Sequence, residues 1–577
     1  MNSLLAKMKE KGIKSLAPSK TKIMVGMATC GIASGAELVY NALADEIKKQ
    51  KLDIVLSKTG CIGMCYREPL VDVIEPNRPR LTYSGVTPKN VTAILNQTGE
   101  GKSKKPYCRI DEEDLIINEE KIRYLTGALP DDMKAIPLMS EIDFYKKQVK
   151  IATRNCGFID PGNIDEYIAR GGYFGLQKIL SGGIDPEKVI EEVEGSGLRG
   201  RGGGGFSTGF KWRSCRNAPG KIKYVICNGD EGDPGAYMDR SIMEGDPHSV
   251  IEGMIMGAYA IGAQEGYIYV RDEYPMAVKA LTDAISQARE CGFLGKDIFN
   301  SGFSFDIKIS KGSGAFVCGE STALMASLEG RAGEPRAKYV HTVEHGLWDQ
   351  PSNLNNVETW ANVPVIMSRG KDWFSQIGSE KSTGTKVFSL VGNVKNVGLI
   401  EIPMGTTLKE IIYDIGGGIP KGKELKAVQT GGPSGGCIPR ELTDLPVGFD
   451  ELTKAGSMMG SGGMIIMDEN ICMVDVARYF EEFLQGESCG KCVPCREGVR
   501  RMREILEDIC NGKGRDGDIE LLEDMSQAII DGSLCALGGS APNPVLSTIR
   551  YFRDEYNAHI REKKCPAGVC QELAHTE

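Results

Sequence analysis

Three cysteines in the segment ESCGKCVPCREG are separated by two residues each: Cys489, Cys492 and Cys495. Thiolates at this C-x₂-C-x₂-C spacing can bind three irons of a [4Fe–4S] cubane, and a distant cysteine then binds the fourth. Cys535, in DGSLCALGG, follows a helical stretch and lies in a turn of small residues, so it is the expected fourth ligand. Zinc is the alternative, but zinc sites usually pair two separated C-x₂-C units, which are absent here. The sequence therefore predicts an iron–sulfur cluster.

A run of glycines in GLRGRGGGGFSTGFKW, residues 197–212, is the second feature. It matches the dinucleotide pattern G-x-G-x-x-G, but that pattern follows a strand, and DPEKVIEEVEGSG before it predicts a helix and a turn. We therefore reject an ordinary Rossmann fingerprint. Backbone without side chains still lets a flat ligand or a phosphate approach closely, and Arg201 and Lys211 add positive charge. A flexible surface loop is the alternative.

Polar side chains follow the strand-like segments downstream. KYVICNGDEGDPG places four of them directly after a predicted strand: Asn228, Asp230, Glu231 and Asp233. Such carboxylates can accept hydrogen bonds from ribityl or ribose hydroxyls or bind a divalent metal, with a solvated acidic loop as the alternative. GSGAFVCGESTALMASLEG predicts a second strand–glycine–helix turn with Glu320 at the helix start, and NLNNVET adds the amides of Asn355 and Asn356. Their proximity in sequence to the other motifs favours a flavin or phosphate site over simple turn caps.

A third group of cysteines lies near the N-terminus. Cys30 is in MATCGIASGA, and Cys61 and Cys65 are in TGCIGMCYREP. The C-x₃-C spacing at a strand end suits a binuclear cluster, but a [2Fe–2S] centre takes four ligands and only three are evident. Three unrelated core thiols are the alternative.

A fourth group lies near the other end of the sequence. His559, Cys565 and Cys570, with Cys472 or Cys437 as the fourth ligand, would form a tetrahedral zinc site of nitrogen and sulfur donors. A frayed C-terminal tail whose cysteines bind no metal is the alternative.

The composition bounds the class of protein. The 577 residues are too many for one domain, and 41% hydrophobic with 25% charged residues is typical of a folded chain. A net charge of −9 argues against nucleic-acid binding, which needs a basic surface. No apolar run approaches the ~20 residues of a membrane span, and the N-terminus lacks a secretory signal, so a cytoplasmic location is expected. In a reducing compartment, 18 clustered cysteines point to metal ligation.

Hydrophobic periodicity gives the elements that must position these residues. Strands and helices alternate over 22–98, and again where KYVIC, GYIYVRD and GAFVC are predicted strands between helices, which is typical of α/β folds. A polar connector follows the first unit. Two strands and a helix are expected from about 386, and helices dominate the last hundred residues.

Taken together, the order of the glycine-rich loop, NGDEGDPG, VCGE, NNVET and CGKCVPC with a late cysteine resembles the NADH-oxidising flavoprotein subunit of complex I. The unit in front of it and GGPSGGCIP make the chain more similar to the beta subunits of soluble NADH-linked [FeFe] hydrogenases and related formate dehydrogenases. The resemblance implies FMN as the acceptor of a hydride from NADH and a nearby [4Fe–4S] cluster as the acceptor of single electrons.

The resemblance also implies site residues, position by position. The FMN and NADH site would comprise Gly200, Arg201, Gly202, Gly203, Phe206, Lys211, Asn228, Asp230, Glu231, Asp233, Phe316, Gly319, Glu320, Lys338, Asn355 and Asn356. Phe206 would stack on the nicotinamide nucleotide, and Lys338 would lie near its phosphates. Cys30, Cys61 and Cys65 match three of the four cysteines of the family's N-terminal [2Fe–2S] domain.

Seven segments are expected on this basis. They are a tail (1–21), a thioredoxin-like [2Fe–2S]-type domain (22–100), a linker (101–145), a Rossmann-like FMN/NADH domain (146–380), a β-grasp, SLBB-like module (381–445), a helical [4Fe–4S] domain (446–560) and a C-terminal tail (561–577) with a zinc site and without the ferredoxin domain of some relatives.

The expected partners are a small [2Fe–2S] subunit and a larger iron–sulfur catalytic subunit, either a hydrogenase or a formate dehydrogenase. An alternative function is an electron-transfer or scaffold subunit that keeps its clusters but binds NADH poorly. Ser321, where the family usually has a second glutamate, and Ser214, where an aromatic often stacks on adenine, favour that alternative.

Overall fold

The computed structural model describes residues 2–95, 104–337 and 339–573. Its first unit contains α1 (Asn2–Leu16), β1 (Lys22–Gly26), α2 (Thr29–Ala33), α3 (Ala36–Gln50), β2 (Val55–Thr59), β3 (Val71–Ile74), β4 (Arg80–Tyr83), α4 (Val91–Leu95) and β5 (Cys108–Ile110). The strands form one sheet in the order β2-β1-β3-β4-β5, parallel between β1 and β2 and antiparallel elsewhere. Ile23, Val25 and Leu43 are buried in the core of this α/β unit.

Two segments that were expected to connect or precede domains are packed instead. The expected tail forms α1, whose Leu5 and Leu16 are buried. The described part of the expected linker contains β5, a hairpin of β6 (Glu112–Asp114) and β7 (Lys121–Arg123), and α5 (Asp143–Lys146). The hairpin strands have three residues each and mostly charged side chains, so their sequence shows almost no apolar periodicity.

The second unit has a four-stranded parallel sheet. Its elements are α6 (Ile164–Ala169), α7 (Phe174–Ser181), α8 (Pro186–Gly195), α9 (Thr208–Asn217), β8 (Tyr224–Gly229), α10 (Met238–Gly245), α11 (Pro247–Ile261), β9 (Glu265–Arg271), α12 (Pro275–Glu290), β10 (Asp306–Gly312), α13 (Ser321–Leu328), β11 (Ser352–Asn356), α14 (Val357–Arg369) and α15 (Lys371–Ser375). The strand order is β10-β9-β8-β11. The predicted helix before the glycine run is α8, with Asp185 as its N-cap.

The sheet of this unit reverses its direction of growth between β8 and β11. The chain adds β9 and then β10 on one side of β8, and β11 returns to the other side. Such a switch point leaves a crevice at the carboxyl ends of the two strands. The strand expected at GAFVC is wrong: Phe316–Gly319 is a 3₁₀ turn that follows β10.

The third unit is built around a five-stranded sheet, to which a separate pair of short strands and two helical elements are added. It consists of β12 (Gly378–Ser379), β13 (Ser382–Thr383), β14 (Thr385–Gly392), β15 (Gly398–Pro403), a π-helical turn (Glu410–Ile415), β16 (Leu425–Thr430), β17 (Gly436–Pro439), α16 (Phe449–Lys454) and β18 (Gly463–Asp468), where β12 and β13 form a separate pair. The order β15-β14-β18-β16-β17 places β18 at the centre, beyond the expected boundary at 445. The pairing of β14 with β18 joins residues about seventy positions apart, which local sequence patterns do not report.

The last unit is helical. It contains α17 (Met473–Glu487), α18 (Val493–Cys510), α19 (Asp518–Gly532), α20 (Ala536–Ser540) and α21 (Asn543–Asn557), followed by a π-helical turn (Ala558–Glu562). Val499, Leu506 and Leu522 lie in its apolar core. Among the described residues, no helix has both the length and the apolar character needed to cross a bilayer.

Buried polar contacts fasten the third unit to the second. The Glu401 carboxylate accepts hydrogen bonds from the backbone N–H groups of residues 151–153, at 2.8–2.9 Å. Lys386, at the start of β14, forms a fully buried ion pair with Glu358 of α14, and the same carboxylate accepts the N–H of Val387. Burial of both charges makes the pair dependent on the presence of both partners.

We predict that Lys386→Met lowers the free energy of unfolding by about 3–5 kcal/mol, because Glu358 is then a buried charge without a counterion. The double variant Lys386→Met/Glu358→Gln should recover a large part of this loss. Urea titration of both proteins measures the effect. Lys409→Met, an exposed lysine in the same unit, is the control and should cost less than about 1 kcal/mol. Equal losses in the two lysine variants would contradict the prediction.

Candidate functional site

A cleft of about 470 Å³ opens at the switch point of the parallel sheet. Asn228 lies near the end of β8 and Asn356 is the last residue of β11, and both line the cleft. The walls also include the loop after β8, the 3₁₀ turn Phe316–Gly319, parts of the segment 431–461 of the third unit and α20 of the helical unit. Three of the four units therefore contribute to one site.

Glycine backbone forms one wall of the cleft. Gly202, Gly203 and Gly204 line it, and the loop that carries them is closed by a hydrogen bond of 2.8 Å from the N–H of Gly200 to the carbonyl of Phe206. Gly203 has φ +119°, and a Cβ there would lie only 3.1 Å from the backbone of Gly460. A side chain at this position would be strained, so glycine is favoured and leaves bare peptide for the close approach of a flat ligand.

Asp230 is a buried carboxylate that lines the cleft, and its oxygens have no hydrogen-bond partner among the described residues. The nearest cation is Arg271, whose Nη1 is 3.8 Å from Oδ1. Burial raises the pKa of Asp230 to about 7, and Arg271 opposes this only in part. Buried polar atoms are nearly always satisfied, so these oxygens fit a ligand that donates hydrogen bonds, such as the hydroxyls of a ribityl or ribose chain.

The other acidic residues of the cleft also hold neighbouring elements. The Glu231 carboxylate accepts the N–H groups of Asp239 and Arg240 at the start of α10. Asp233 accepts a hydrogen bond from Ser461 of the third unit, and burial raises its pKa to about 6. Asn356 donates to Asp239 at 2.5 Å. These residues line the cleft and fix its walls at the same time.

The 3₁₀ turn of the cleft is attached on both sides. Asn228 donates a hydrogen bond of 2.8 Å to the carbonyl of Gly319, and the N–H of Phe316 donates to Glu487 of α17. Glu320 caps α13 by accepting the N–H groups of Thr322 and Ala323. Phe316, Gly319 and Glu320, which the resemblance implies for the cofactor site, all line the cleft.

Several predicted site residues lie outside the cleft. Arg201 is fully buried, and its guanidinium donates to the backbone carbonyls of Arg199, Thr383 and Thr385. Lys211 donates to the carbonyl of Leu354 at 2.7 Å, and burial lowers its pKa to about 8. In this structure both cations therefore bond to main-chain carbonyls and do not line the cleft.

Two further residues that the resemblance implies for the site are not among those that line the cleft. Gly200 closes the loop and does not line the cleft, and Asn355 is buried beside β8, where its Oδ1 accepts from Asn353. Lys338 lies outside the described residues.

Two exposed aromatic rings follow the glycine strip. Phe206 is 55% exposed and Phe210 is 52% exposed, and their ring centroids are 5.7 Å apart in an edge-to-face arrangement. The sequence pattern indicated Phe206 but not Phe210, because Phe206 precedes α9 and Phe210 lies in its first turn, so that no helical spacing links the two. Two adjacent exposed rings beside the glycine strip are available for contact with a ligand.

The four predicted cluster ligands line one small cavity: Cys489, Cys492, Cys495 and Cys535. Cys492 precedes the first residue of α18, and Cys535 precedes the first residue of α20. Gly538 packs closely against this cavity, because a Cβ there would lie 2.5 Å from Ser533 Oγ and 3.1 Å from the Cβ of Cys495. Four thiolates around one cavity fit the ligand requirement of a [4Fe–4S] cluster.

The cluster cavity and the cleft share part of their walls. Val317, from the 3₁₀ turn, and Leu537, from α20, line both. One layer of side chains therefore separates the space that suits a flat aromatic ligand from the space that suits an iron–sulfur cluster. The contributions of Leu537, Asp239 and Ser461 to the cleft could not be predicted, since their segments carry no recognisable motif.

Four buried side chains near the end of the chain form a compact group: Cys472, His559, Cys565 and Cys570. All of their donor atoms lie within 4.8 Å of one another. His559 Nε2 is 3.4 Å from the sulfurs of Cys472 and Cys570, and its Nδ1 is held by the carbonyl of Glu555. Cys437, the other candidate, contacts Gln429 instead. This arrangement matches a tetrahedral site with an oriented histidine.

The N-terminal cysteines also meet. The sulfurs of Cys30, Cys61 and Cys65 lie within 4.8 Å of one another, and those of Cys61 and Cys65 are 3.7 Å apart. A [2Fe–2S] cluster takes four ligands in two pairs, one pair on each iron. Three sulfurs in one tight triangle do not fit that division.

Comparison with known proteins identifies the class. Residues 193–365 match the Nuo51 FMN-binding domain, 475–559 the iron–sulfur binding region of NADH-ubiquinone oxidoreductase-F, and 387–438 the SLBB domain. The chain is 55% identical to the NADP-reducing hydrogenase subunit HndC of Solidesulfovibrio fructosivorans, over 74% of this chain and 87% of the relative. It is 45% identical to the F 2 subunit of NADH-quinone oxidoreductase from Rhizobium meliloti strain 1021, over 72% of this chain and 99% of that relative.

The chain therefore belongs to the family that includes hydrogenase subunit HndC and the NuoF-type subunits of NADH-quinone oxidoreductase, and it carries that family's FMN-binding and [4Fe–4S]-binding domains. A solved structure extends the similarity to nearly the whole chain. The NAD⁺-reducing [NiFe]-hydrogenase in the H₂-reduced state aligns with a TM-score of 0.64 and 25% identity, over 97% of this chain and 90% of that one.

We predict that Cys492→Ala removes about four irons per chain and the EPR signal of the reduced cluster, since a cubane that loses one of four thiolates is not retained. FMN content should not change, because Cys492 does not line the cleft. Cys291→Ala, which removes a partly exposed thiol outside every cluster, is the control. Full retention of iron in Cys492→Ala would show that the ligand assignment is wrong.

Proposed function

We propose that this chain is the flavin subunit of a multi-subunit, hydrogenase-type complex that transfers electrons between NAD(H) and iron–sulfur clusters through FMN. The shared wall of Val317 and Leu537 carries the proposal, since it brings a flavin-sized cleft next to a four-cysteine cavity. Bound FMN would accept two electrons from a nicotinamide and release them one at a time, which neither NADH nor a cluster can do alone.

The residues of the chain supply binding and orientation. The strip Gly202–Gly204 offers bare backbone to one face of a flat ring, and Asp230 offers two acceptor oxygens to hydroxyl groups. Asn228 and Glu231 hold the surrounding turns, so that the cleft keeps its shape when ligands enter and leave. Hydride transfer itself requires no acid or base from the protein, and we assign none.

The aromatic pair of Phe206 and Phe210 supports NADH binding. These rings flank the glycine strip and are exposed, so they are available to stack on the bases of a dinucleotide. Phe210 compensates for Ser214, one turn later on α9, where the family often has an aromatic residue. Ser321 donates to Glu320 and therefore helps to orient the carboxylate that remains there.

The surface at the cluster supports an iron–sulfur partner. Cys489 and Cys492 are only half-buried, and the adjacent Val493 is 59% exposed. An apolar side chain exposed beside a cluster suits the docking of the next electron carrier. We propose a small [2Fe–2S] subunit and a larger catalytic iron–sulfur subunit, a hydrogenase or a formate dehydrogenase, as the partners, with the cytoplasm as the location of the complex.

The C-terminal group is proposed to bind Zn²⁺ as a structural ion. Its ligands come from the start of α17, from the turn after α21 and from the segment that follows, so the ion would tie the end of the described chain to the helical unit. The [2Fe–2S] cluster expected for the N-terminal cysteines is not part of this proposal, because their described geometry does not fit it.

The direct test of the function is NADH-dependent dye reduction by the anaerobically purified, FMN-loaded protein. We expect turnover, and we expect Phe206→Ala to raise KM for NADH about 10-fold with a smaller change in kcat, because base stacking is worth about 1–3 kcal/mol. Tyr479→Ala, which removes an exposed ring from α17, is the control. Stoichiometric FMN and iron without any turnover would instead favour the scaffold function.

For the zinc site, we predict that His559→Ala lowers the zinc content by one ion per chain and lowers the unfolding temperature of the helical unit, since metal binding and folding are coupled. His345→Ala, an exposed histidine paired with Asp349, should leave both values unchanged. Metal analysis and thermal unfolding of the two variants measure the effect, and an unchanged zinc content in His559→Ala would refute the assignment.

A further inference from the structure

We propose that Glu68 is the fourth ligand of the N-terminal cysteine site and that this site binds a single, tetrahedrally coordinated divalent ion of the zinc class. The site uses Cys30, Cys61, Cys65 and Glu68, none of which lines the flavin cleft. The proposal is therefore tested separately from the flavin function.

The distances between sulfurs indicate one ion. Zinc–sulfur bonds of about 2.3 Å at tetrahedral angles separate two sulfurs by about 3.8 Å. The sulfurs of Cys61 and Cys65 are 3.7 Å apart, and Cys30 completes a group whose members all lie within 4.8 Å. The cysteines of the [4Fe–4S] site do not form such a tight group, as expected for thiolates on different irons of a cubane.

Glu68 lies beside this triangle, with one oxygen next to the thiol of Cys30. Its Oε2 accepts the N–H of Leu70 at 2.8 Å, whereas Oε1 is 3.8 Å from the sulfur of Cys30. Bonds of about 2.1 Å to oxygen and 2.3 Å to sulfur on one tetrahedral ion place those two atoms about 3.6 Å apart. The carboxylate is farther than 4.8 Å from at least one other sulfur, so a rotation of the Glu68 side chain would complete the set of four ligands.

Two glycines make room for the carboxylate. A Cβ at Gly31 would lie 3.3 Å from Glu68 Oε2 and only 2.2 Å from the carbonyl of Gly26. A Cβ at Gly26 would lie 3.4 Å from both carboxylate oxygens. The backbone of β1 and α2 thus leaves room for the Glu68 carboxylate beside Cys30.

The charges of the site point to a cation. Three thiols and a carboxylate converge, and the hydrogen-bond partners of Glu68 among the described residues are the thiol of Cys30 and the N–H of Leu70, neither of which is a cation. Buried acidic groups are normally paired with a cation or bound to a metal. Tyr237 and Gly63 add hydrogen bonds to the sulfurs of Cys65 and Cys61, the outer contacts that tune thiolate ligands.

The location suggests what the ion does. Thr29, next to Cys30, bonds to Glu244 of α10 through both its N–H and its hydroxyl, and Tyr237 directly precedes α10. The ion would join α2 to the loop after β2 at the place where the first unit rests on the second, so it acts as a structural clamp between them.

The test uses the full-length chain, anaerobically purified and supplied with Zn²⁺ alone. We expect one zinc ion at this site in addition to the C-terminal ion, and we expect Glu68→Gln to release it to a chelator at least about 10-fold more readily. The amide of Glu68→Gln can still accept the N–H of Leu70, so a merely structural role would leave release unchanged. Glu68→Cys should retain the ion and, with Co²⁺, add a fourth thiolate to the charge-transfer band.

Two variants control for charge and thiol content: Glu37→Gln, an exposed glutamate on α3, and Cys108→Ala, a buried cysteine in β5. Neither should change metal release. Release from Glu68→Gln equal to wild type, or two irons with two sulfides and a [2Fe–2S] EPR signal at this site, would overturn the proposal. FMN content and dye reduction, measured on the same samples, report separately on the flavin function.

Discussion

Nicotinamides give up electrons in pairs, whereas iron–sulfur clusters take them singly, and this mismatch constrains where a flavin subunit must hold its cofactors. In this chain, the constraint is met by two side chains, Val317 and Leu537, that face the cleft on one side and the cysteine cavity on the other. Val317 belongs to a 3₁₀ turn of the second unit and Leu537 to α20 of the helical unit. The contact between these two units is therefore part of the site itself.

Hydrogen bonds of the polar residues in the cleft hold its walls, which come from several units, in one arrangement. Asn228 fastens the 3₁₀ turn to β8, Asp233 reaches Ser461 of the third unit, and Glu231 fixes the start of α10. Because these contacts are buried or partly buried, a lost partner would leave a poorly solvated polar atom without a hydrogen bond, which is costly. Asp230 is the exception, because neither of its buried oxygens has a hydrogen-bond partner among the described residues, and this free acceptor capacity suits the recognition of a ligand.

Three groups of cysteines in the chain differ in how closely their sulfur atoms approach one another, and this spacing indicates the kind of metal centre that each group suits. Cys489, Cys492 and Cys495 surround a cavity, as a cubane requires, whereas the groups around Cys61 and His559 are tight enough for one ion. Residue type alone does not separate these cases. The separation comes from backbone: the helix start at Cys492 holds its thiol at the edge of a space, and the turn between Cys61 and Cys65 brings two thiols together.

Features that depend on neighbours in the chain could be predicted from the order of the amino acids. The C-x₂-C-x₂-C segment, the glycine strip, the acidic turn after β8 and the alternation of strands and helices all follow from local spacing, and their order was enough to predict the family. The late ligand Cys535 was also predicted, because it follows a helix in a turn of small residues.

Which side chains face the cleft could be learned only from the packing of the units. Arg201 and Lys211 carry the charge that a phosphate site needs, yet both turn inward, because main-chain carbonyls at Thr383, Thr385 and Leu354 lie within their reach. The central position of β18 and the approach of Glu68 to Cys30 likewise depend on contacts between segments that the chain brings together only on folding. Local patterns record the chemistry of each residue, but the direction of a long polar side chain is set by the partners that packing leaves for it.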